Sequence, residues 1–259
     1  MTEATVASIK PSNALPFIPS YLRNTPLDIY NKTAKDPIFL PTQWNVDDSS
    51  DYIKVMDNGL GLRCIGPGRN NSDAAAIRTD FPIPRKAGFF YYELDILNKG
   101  EKGFIGLGIG LEHVDLNKMP GWERYSLGYH GDNGLVYIQH PRGRNYGPLF
   151  TEGDTIGCGV NFYNRTVFYT KNGVNLGTAY MGIDHGEFYP MVGLITTDEW
   201  VEANFGEKPF MYNISLHAGM VFDHAVKNDL HIEQESPGDY ELDDLMPPRF
   251  YCDNCGAFY

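Results

Sequence analysis

The chain has 259 residues, 42% of them hydrophobic, enough to bury a sizeable core as one large domain with flanking segments. Its 28 Gly, 17 Pro, 17 Tyr and 15 Phe suit many short strands joined by tight turns and exclude a helical bundle. A formal net charge of −12 excludes the dense basic surface needed to bind the nucleic-acid backbone, and no apolar run approaches a membrane span.

The first residues, MTEATVASIKPSNALPFIPSYL, lack the apolar core of a secretory signal, so an intracellular protein is expected, cytoplasmic with the nucleus possible. Cys64, Cys158, Cys252 and Cys255 then read as free thiols rather than as a disulfide framework. Residues 1–39 carry Pro11, Pro16, Pro19, Pro26 and Pro37 among polar residues. They are expected to form an extended arm that docks through Phe17, Ile18, Tyr21, Leu22 and Tyr30.

A body spanning 40–212 follows. Strand candidates run over Tyr52–Met56 and Leu60–Ile65, and then a stretch at 66–84, GPGRNNSDAAAIRTDFPIP, reads as a long loop of the kind that carries binding residues. Phe89–Leu97 alternates, with Phe90, Tyr92, Leu94 and Ile96 inward and Glu93 and Asp95 outward. Phe104–Leu111 sets Ile105, Leu107, Ile109 and Leu111 on one face and Gly106, Gly108 and Gly110 on the other, where another piece of backbone could approach closely. This is not a dinucleotide fingerprint, because Leu111 stands where the third glycine of the motif belongs.

Further strands are expected at Ser126–Tyr129, Leu135–Ile138, Phe188–Leu194 and Trp200–Phe205. The stretch Ile156–Tyr180 reads as a three-stranded meander. Its turn at Asn172-Gly173 fits a two-residue type I′ loop, whereas Arg165 tolerates positive φ poorly and its loop should be longer. Val160, Phe162, Val167, Tyr169 and Leu176 are assigned to a core face, and Asn161, Tyr163, Phe168 and Thr170 to a face covered by loops or termini. The remaining residues, 213–259, read as a short helix over Ser215–Leu230, capped by Ser215, followed by an acidic tail. Leu216, Met220, Phe222 and Val226 are its expected apolar side.

No catalytic constellation stands out. Glu93-Leu-Asp95 on a strand invites comparison with a jelly-roll glucanase, but Asn98 occupies the position of the acid, so these read as solvent-facing carboxylates. A carbohydrate-active sandwich, lectin or glucanase-like, is the alternative class. His113, His130, His140 and His185 read as surface or turn residues. Cys252 and Cys255 have zinc-ligand spacing without a second pair. Neither a metal nor a cofactor is expected.

The blocks GFFYYELDILNKGEKGFIGLGIG, PGWERYSLGYHGDNG, YGPLFTEGDTIGCGVNFYNRTVFYTKNG, YPMVGL and ANFGEKPF, in that order, closely resemble SPRY domains of the RanBPM type over roughly residues 40–212. The resemblance implies an all-β fold, a bent two-sheet antiparallel β-sandwich, acting as a non-catalytic protein-interaction module. RanBPM-type proteins are scaffold or receptor subunits of a ubiquitin ligase named for its LisH and CTLH domains, so ligase subunits are among the implied partners. In those proteins LisH and CTLH helices follow the SPRY domain, and residues 213–259 do not resemble them. The resemblance also implies a shallow site for a short peptide of a partner protein, built from Arg69, Asn70, Asn71 and Asp73, the strand end at Tyr137, and Thr196 and Thr197.

Overall fold

The computed structural model describes residues 16–183, 186–230 and 232. The expectations for His185, for Cys252 and Cys255, for the start of the arm and for the acidic segment after residue 232 lie outside them. The strands in chain order are β1 (Trp44–Ser49), β2 (Ile53–Val55), β3 (Gly61–Cys64), β4 (Ala75–Thr79), β5 (Phe89–Lys99), β6 (Gly106–Gly110) and β7 (Ser126–His130). They continue as β8 (Leu135–Ile138), β9 (Arg144–Asn145), β10 (Thr155–Asn161), β11 (Thr166–Lys171), β12 (Val174–Met181), β13 (Tyr189–Leu194) and β14 (Glu199–Asn204). Two antiparallel seven-stranded sheets result, ordered β1-β4-β13-β6-β7-β8-β9 and β12-β11-β10-β5-β14-β3-β2.

The expected alternation places the core. Phe90, Tyr92, Leu94 and Ile96 of β5 are buried with Leu107 and Ile109 of β6, Val160 of β10 and Val167 and Tyr169 of β11. Tyr92 crosses between the layers, its hydroxyl donating to the Gly108 carbonyl at 2.6 Å. Leu111 falls in a separate small cluster with Ala76, Val114 and Met191. Cys64 and Cys158 are buried free thiols. At the Asn172-Gly173 turn both φ angles are positive, 48° and 77°. The other turn leaves four residues between the paired Asn161 and Thr166, with Arg165 taking φ 58°.

One strand was hidden in the expected loop at 66–84: β4 lies between β1 and β13, with Ala75, Ala76 and Ile77 fully buried. A run of alanines carries no β-branched or aromatic signal, and pairing on both sides overrides propensity here.

Each sheet has an outer face, and each is partly covered by other parts of the chain. Across the first sheet runs the segment 119–122, over bare glycines. A Cβ on Gly128 would lie 2.2 Å from the Pro120 oxygen, and one on Gly193 would lie 2.4 Å from Pro120 Cδ. Gly106 on β6 also admits it, 3.0 Å from Met119 Cε, as its lack of a side chain leads one to expect.

The outer face of the second sheet is covered by both flanks. In the arm, residues 20–22 form a 3-10 turn and α1 spans Pro26–Thr33, begun by proline in the first turn. Tyr21, Leu22 and Leu27 are buried, whereas Phe17 is exposed. The pairing of β5 with β14 ends at Glu93, and beyond it the Tyr21 hydroxyl bonds the Tyr91 backbone, accepting from its N–H at 3.0 Å. On the other side Phe168 stacks on Phe89 and Tyr91 and meets Tyr212 and His217.

Glu93 therefore does not face solvent. Its carboxylate is buried, accepting from the Met211 and Tyr212 N–H groups at 2.9 Å and from the Tyr91 hydroxyl at 2.8 Å, and burial pushes its pKa up. Outward pointing was right, and solvation was not, because the C-terminal flank folds over that face. Asp95 is exposed as expected.

The C-terminal helix α2 spans Ile214–Lys227, and its cap is Asn213, whose side chain accepts from the Leu216 N–H, not Ser215. Its docked face consists of Ile214, Ala218 and Ala225 rather than Leu216, Met220 and Val226. Small alanines let the helix lie close to the aromatic layer beneath it, whereas the expected face was chosen by side-chain size.

Replacing Glu93 by alanine strands two backbone donors beneath the flank. We expect a loss of about 3 kcal/mol in urea unfolding, since each buried unsatisfied donor costs about 1–3 kcal/mol. A change below about 0.5 kcal/mol, the size of an ordinary surface substitution, would show that the flank does not depend on this carboxylate.

Candidate functional site

The turn after β13 is fixed by Glu199, the first residue of β14 and wholly buried. One carboxylate oxygen accepts from the Ile195 N–H at 2.7 Å and the Thr196 N–H at 2.9 Å. The other accepts from the Thr196 hydroxyl at 2.5 Å and the Phe104 N–H at 2.7 Å. Burial pushes the Glu199 pKa up, and the four donors act against that rise. Thr196 is thus buried and occupied, while Thr197 is exposed and donates to the Gly66 carbonyl at 2.6 Å.

That last bond brings the loop 66–73 onto the turn. Gly68 has φ 60°, and a Cβ there would lie 2.9 Å from Thr196 Cα, so the two backbones touch as only glycine permits. Next along the loop, Asp73 is buried and takes the Arg69 N–H at 2.8 Å and two guanidinium bonds at 3.3 Å. The guanidinium hydrogen bond, more than any other influence, holds the Asp73 carboxyl below the usual carboxylate range. Asn70 caps the 3-10 turn at 71–73, its side-chain oxygen accepting from the Ser72 N–H and hydroxyl. Arg69, Asn70 and Asn71 remain exposed.

Tyr137 stands apart from these residues and is joined to them through the segment 119–122. It is buried, its hydroxyl accepts from Asn133 at 2.9 Å, and its ring lies 4.2 Å from His130 and 6.3 Å from Trp122. Trp122 and Phe104, both half-buried, pack on Ala74, Met119 and Ile195, which links the loop, the turn and Tyr137 in one patch. Among the described residues the Trp122 indole nitrogen has no hydrogen-bond partner.

Of the residues assigned from sequence, Arg69, Asn70, Asn71 and Thr197 thus form an exposed rim, whereas Asp73 and Thr196 lie beneath it and hold it in place. Trp122, Phe104 and Glu199 were missed. The Thr196-x-x-Glu199 spacing was a readable signal, since it is the pattern by which a carboxylate returns to a backbone N–H three residues earlier.

The sequence reading of His130 as a surface histidine is also corrected. It is buried on β7, with Nε2 2.8 Å from the Pro120 carbonyl, and so anchors the crossing segment. His113 and His140 are exposed. Glu93, covered by the C-terminal flank, presents no open carboxylate to a sugar. Among the described residues no helix is long and apolar enough to cross a membrane.

Residues 89–208 match the family model of the SPRY domain. The chain is 42% identical over 186 residues, 72% of its length, to Ran-binding protein 10 of Danio rerio. It is 45% identical over 174 residues, 67% of its length, to the Ran-binding proteins 9/10 homolog of Drosophila melanogaster. Those stretches are 31% and 18% of the relatives, so the chain spans less than a third of either. A crystal structure of a human SPRY domain is similar with a TM-score of 0.55 at 27% identity, covering 61% of this chain and 98% of that one. The two-sheet fold is that of a SPRY domain, a protein-interaction module of a non-enzymatic class. More narrowly, the chain is a RanBPM-like SPRY protein.

Burial lowers the His130 pKa to about 4, against about 6.5 for a free histidine. Below about pH 6.5 the unfolded chain takes up a proton that the folded protein refuses, so stability is full above that pH and falls as pH drops towards 4. The loss attributable to this residue should reach about 3 kcal/mol. Unfolding free energies of wild type and His130→Gln across this window should diverge in slope, and equal slopes would exclude the buried neutral imidazole.

Proposed function

We propose that this protein binds a short extended peptide of a partner protein at the rim of Arg69, Asn70, Asn71 and Thr197, over a floor that includes Trp122. The observation that carries this reading is the set of internal bonds that leaves donors facing outward. Two of the five guanidinium N–H donors of Arg69 are spent on Asp73, and Asn70 keeps its amide N–H groups while its oxygen is held by Ser72. Such a surface suits acceptors: backbone carbonyls, carboxamides or carboxylates. The Trp122 nitrogen adds a buried donor that a ligand carbonyl would satisfy. Asp73, Thr196 and Tyr137 act from beneath, holding the geometry so that little ordering entropy is lost on binding.

The finer reading, supported by the sequence resemblance, is recruitment or scaffolding within a cytoplasmic ubiquitin ligase of the RanBPM type. It concerns a whole protein of which the relatives' matched stretches are only 31% and 18%.

A peptide selected from a displayed library on the folded protein supplies the test. Arg69→Ala and Trp122→Ala should each weaken it by roughly 2 kcal/mol, as central anchors do. Lys54→Ala, on the short edge strand β2 of the second sheet, should leave binding unchanged. Full affinity in both rim variants, each shown to be folded, would place the site elsewhere.

A further inference from the structure

Helix α2 is apolar on two sides, although only one side meets the protein. Ile214, Ala218 and Ala225 are buried, with Val221 and Phe222 half-buried against the same core. On the opposite side Leu216, Met220 and Val226 are 62%, 64% and 83% exposed. A helix apolar all round is normally enclosed, so this second face calls for an occupant. Residues three and four apart share a helix face, which groups 216, 220, 223 and 227 in one stripe with Gly219 and Val226 at its edge. A Cβ at Gly219 would meet nothing within 4 Å, and the stripe is flat there.

We propose that this stripe is the surface through which two copies of the chain associate, as an antiparallel pair of α2 helices about a twofold axis near Asp223. That placement sets Met220 against the partner's Val226 and brings Leu216 to the end of the partner's helix. Lys227 then crosses the partner's Gly219, where no side chain stands in the way, and its ammonium reaches the partner's Asp223 one turn further on. The contact is isologous, so each apolar pair and each ion pair occurs twice.

Charge is what selects a second copy. Asp223 and Lys227 are exposed and form no ion pair with the described residues. They are the only carboxylate and the only lysine of α2, so the stripe is locally neutral on a chain of net charge −12, and near the axis the two Lys227 ammoniums offset the repulsion between the two Asp223 carboxylates. Residues 233–259 are a poorer occupant, since they hold seven acids and one arginine and the stripe offers them a single lysine. A helix of 14 residues is about 21 Å long. A pair of them falls short of the standard interface of about 1,600 Å², so the dimer should dissociate on dilution.

Sedimentation equilibrium of the full chain over about 1–100 μM tests this, within the range where a weak dimer titrates. Wild type should show a monomer–dimer equilibrium, and Met220→Glu should raise its dissociation constant about tenfold or more. Asp223→Lys and Lys227→Asp should each weaken association, and the double exchange should recover it, with circular dichroism showing that every variant is folded. A wild-type monomer at all concentrations overturns the proposal, as does a dimer indifferent to Met220→Glu. Slow hydrogen exchange along α2 in a monomer, relieved by deleting 233–259, would also overturn it and give the stripe to that segment.

Discussion

Burying a carboxyl group is tolerable only when its oxygens find partners, and Glu199 meets that condition with four donors drawn from two separate places in the chain. Those places are the turn after β13 and the start of the approach to β6. Tying both to one side chain of β14 pins a loop of the first sheet to a strand of the second. The turn in turn supports Gly68, and the loop that carries Arg69 and Asn70 rests on it. The exposed rim therefore owes its shape to a residue that is itself wholly buried, as loops gain their order from the sandwich behind them.

The same economy governs the two outer faces. The first sheet trades side chains for glycine so that the segment 119–122 can lie directly on it, and this places Trp122 and Met119 between the turn and Tyr137. His130 secures the crossing from below, through the Pro120 carbonyl. The second sheet keeps large aromatics on its outer face and covers them with the arm and the C-terminal flank, where Glu93 repeats the arrangement of a buried carboxylate accepting from backbone N–H groups. One outer face thus builds the candidate site and the other closes the fold.

Much of this was legible in the residues themselves. Alternation in β5 and β6 and the Asn172-Gly173 turn identified the layers, because period and turn chemistry act locally. The bare glycines of β6 announced a close approach, although the closest approaches to Pro120 fall on Gly128 and Gly193. What escaped was set by distant partners. The alanines of β4 become a strand only between β1 and β13, and α2 docks in part through Ala218 and Ala225, whose small side chains give no periodic apolar signal of their own. Glu93 and Glu199 look like ordinary strand carboxylates until the segments that donate to them are in place. For the site, the loop and the turn came from a family resemblance, and the distinction between rim and support came from burial, which no sequence period encodes.

Exchange of Glu199 for glutamine isolates the central interaction with little change of shape. The amide that replaces one carboxylate oxygen is itself a donor, so two of the four donors lose their acceptor and face a like group. Amide hydrogen exchange followed residue by residue is the direct measurement, because local opening appears there before global unfolding does. The account predicts faster exchange at Phe104, Ile195 and Thr196 and through the loop 66–73, with β5, β10 and β11 unchanged. Unaltered exchange in the loop while the turn opens would contradict it, since the rim would then be held by something other than Glu199.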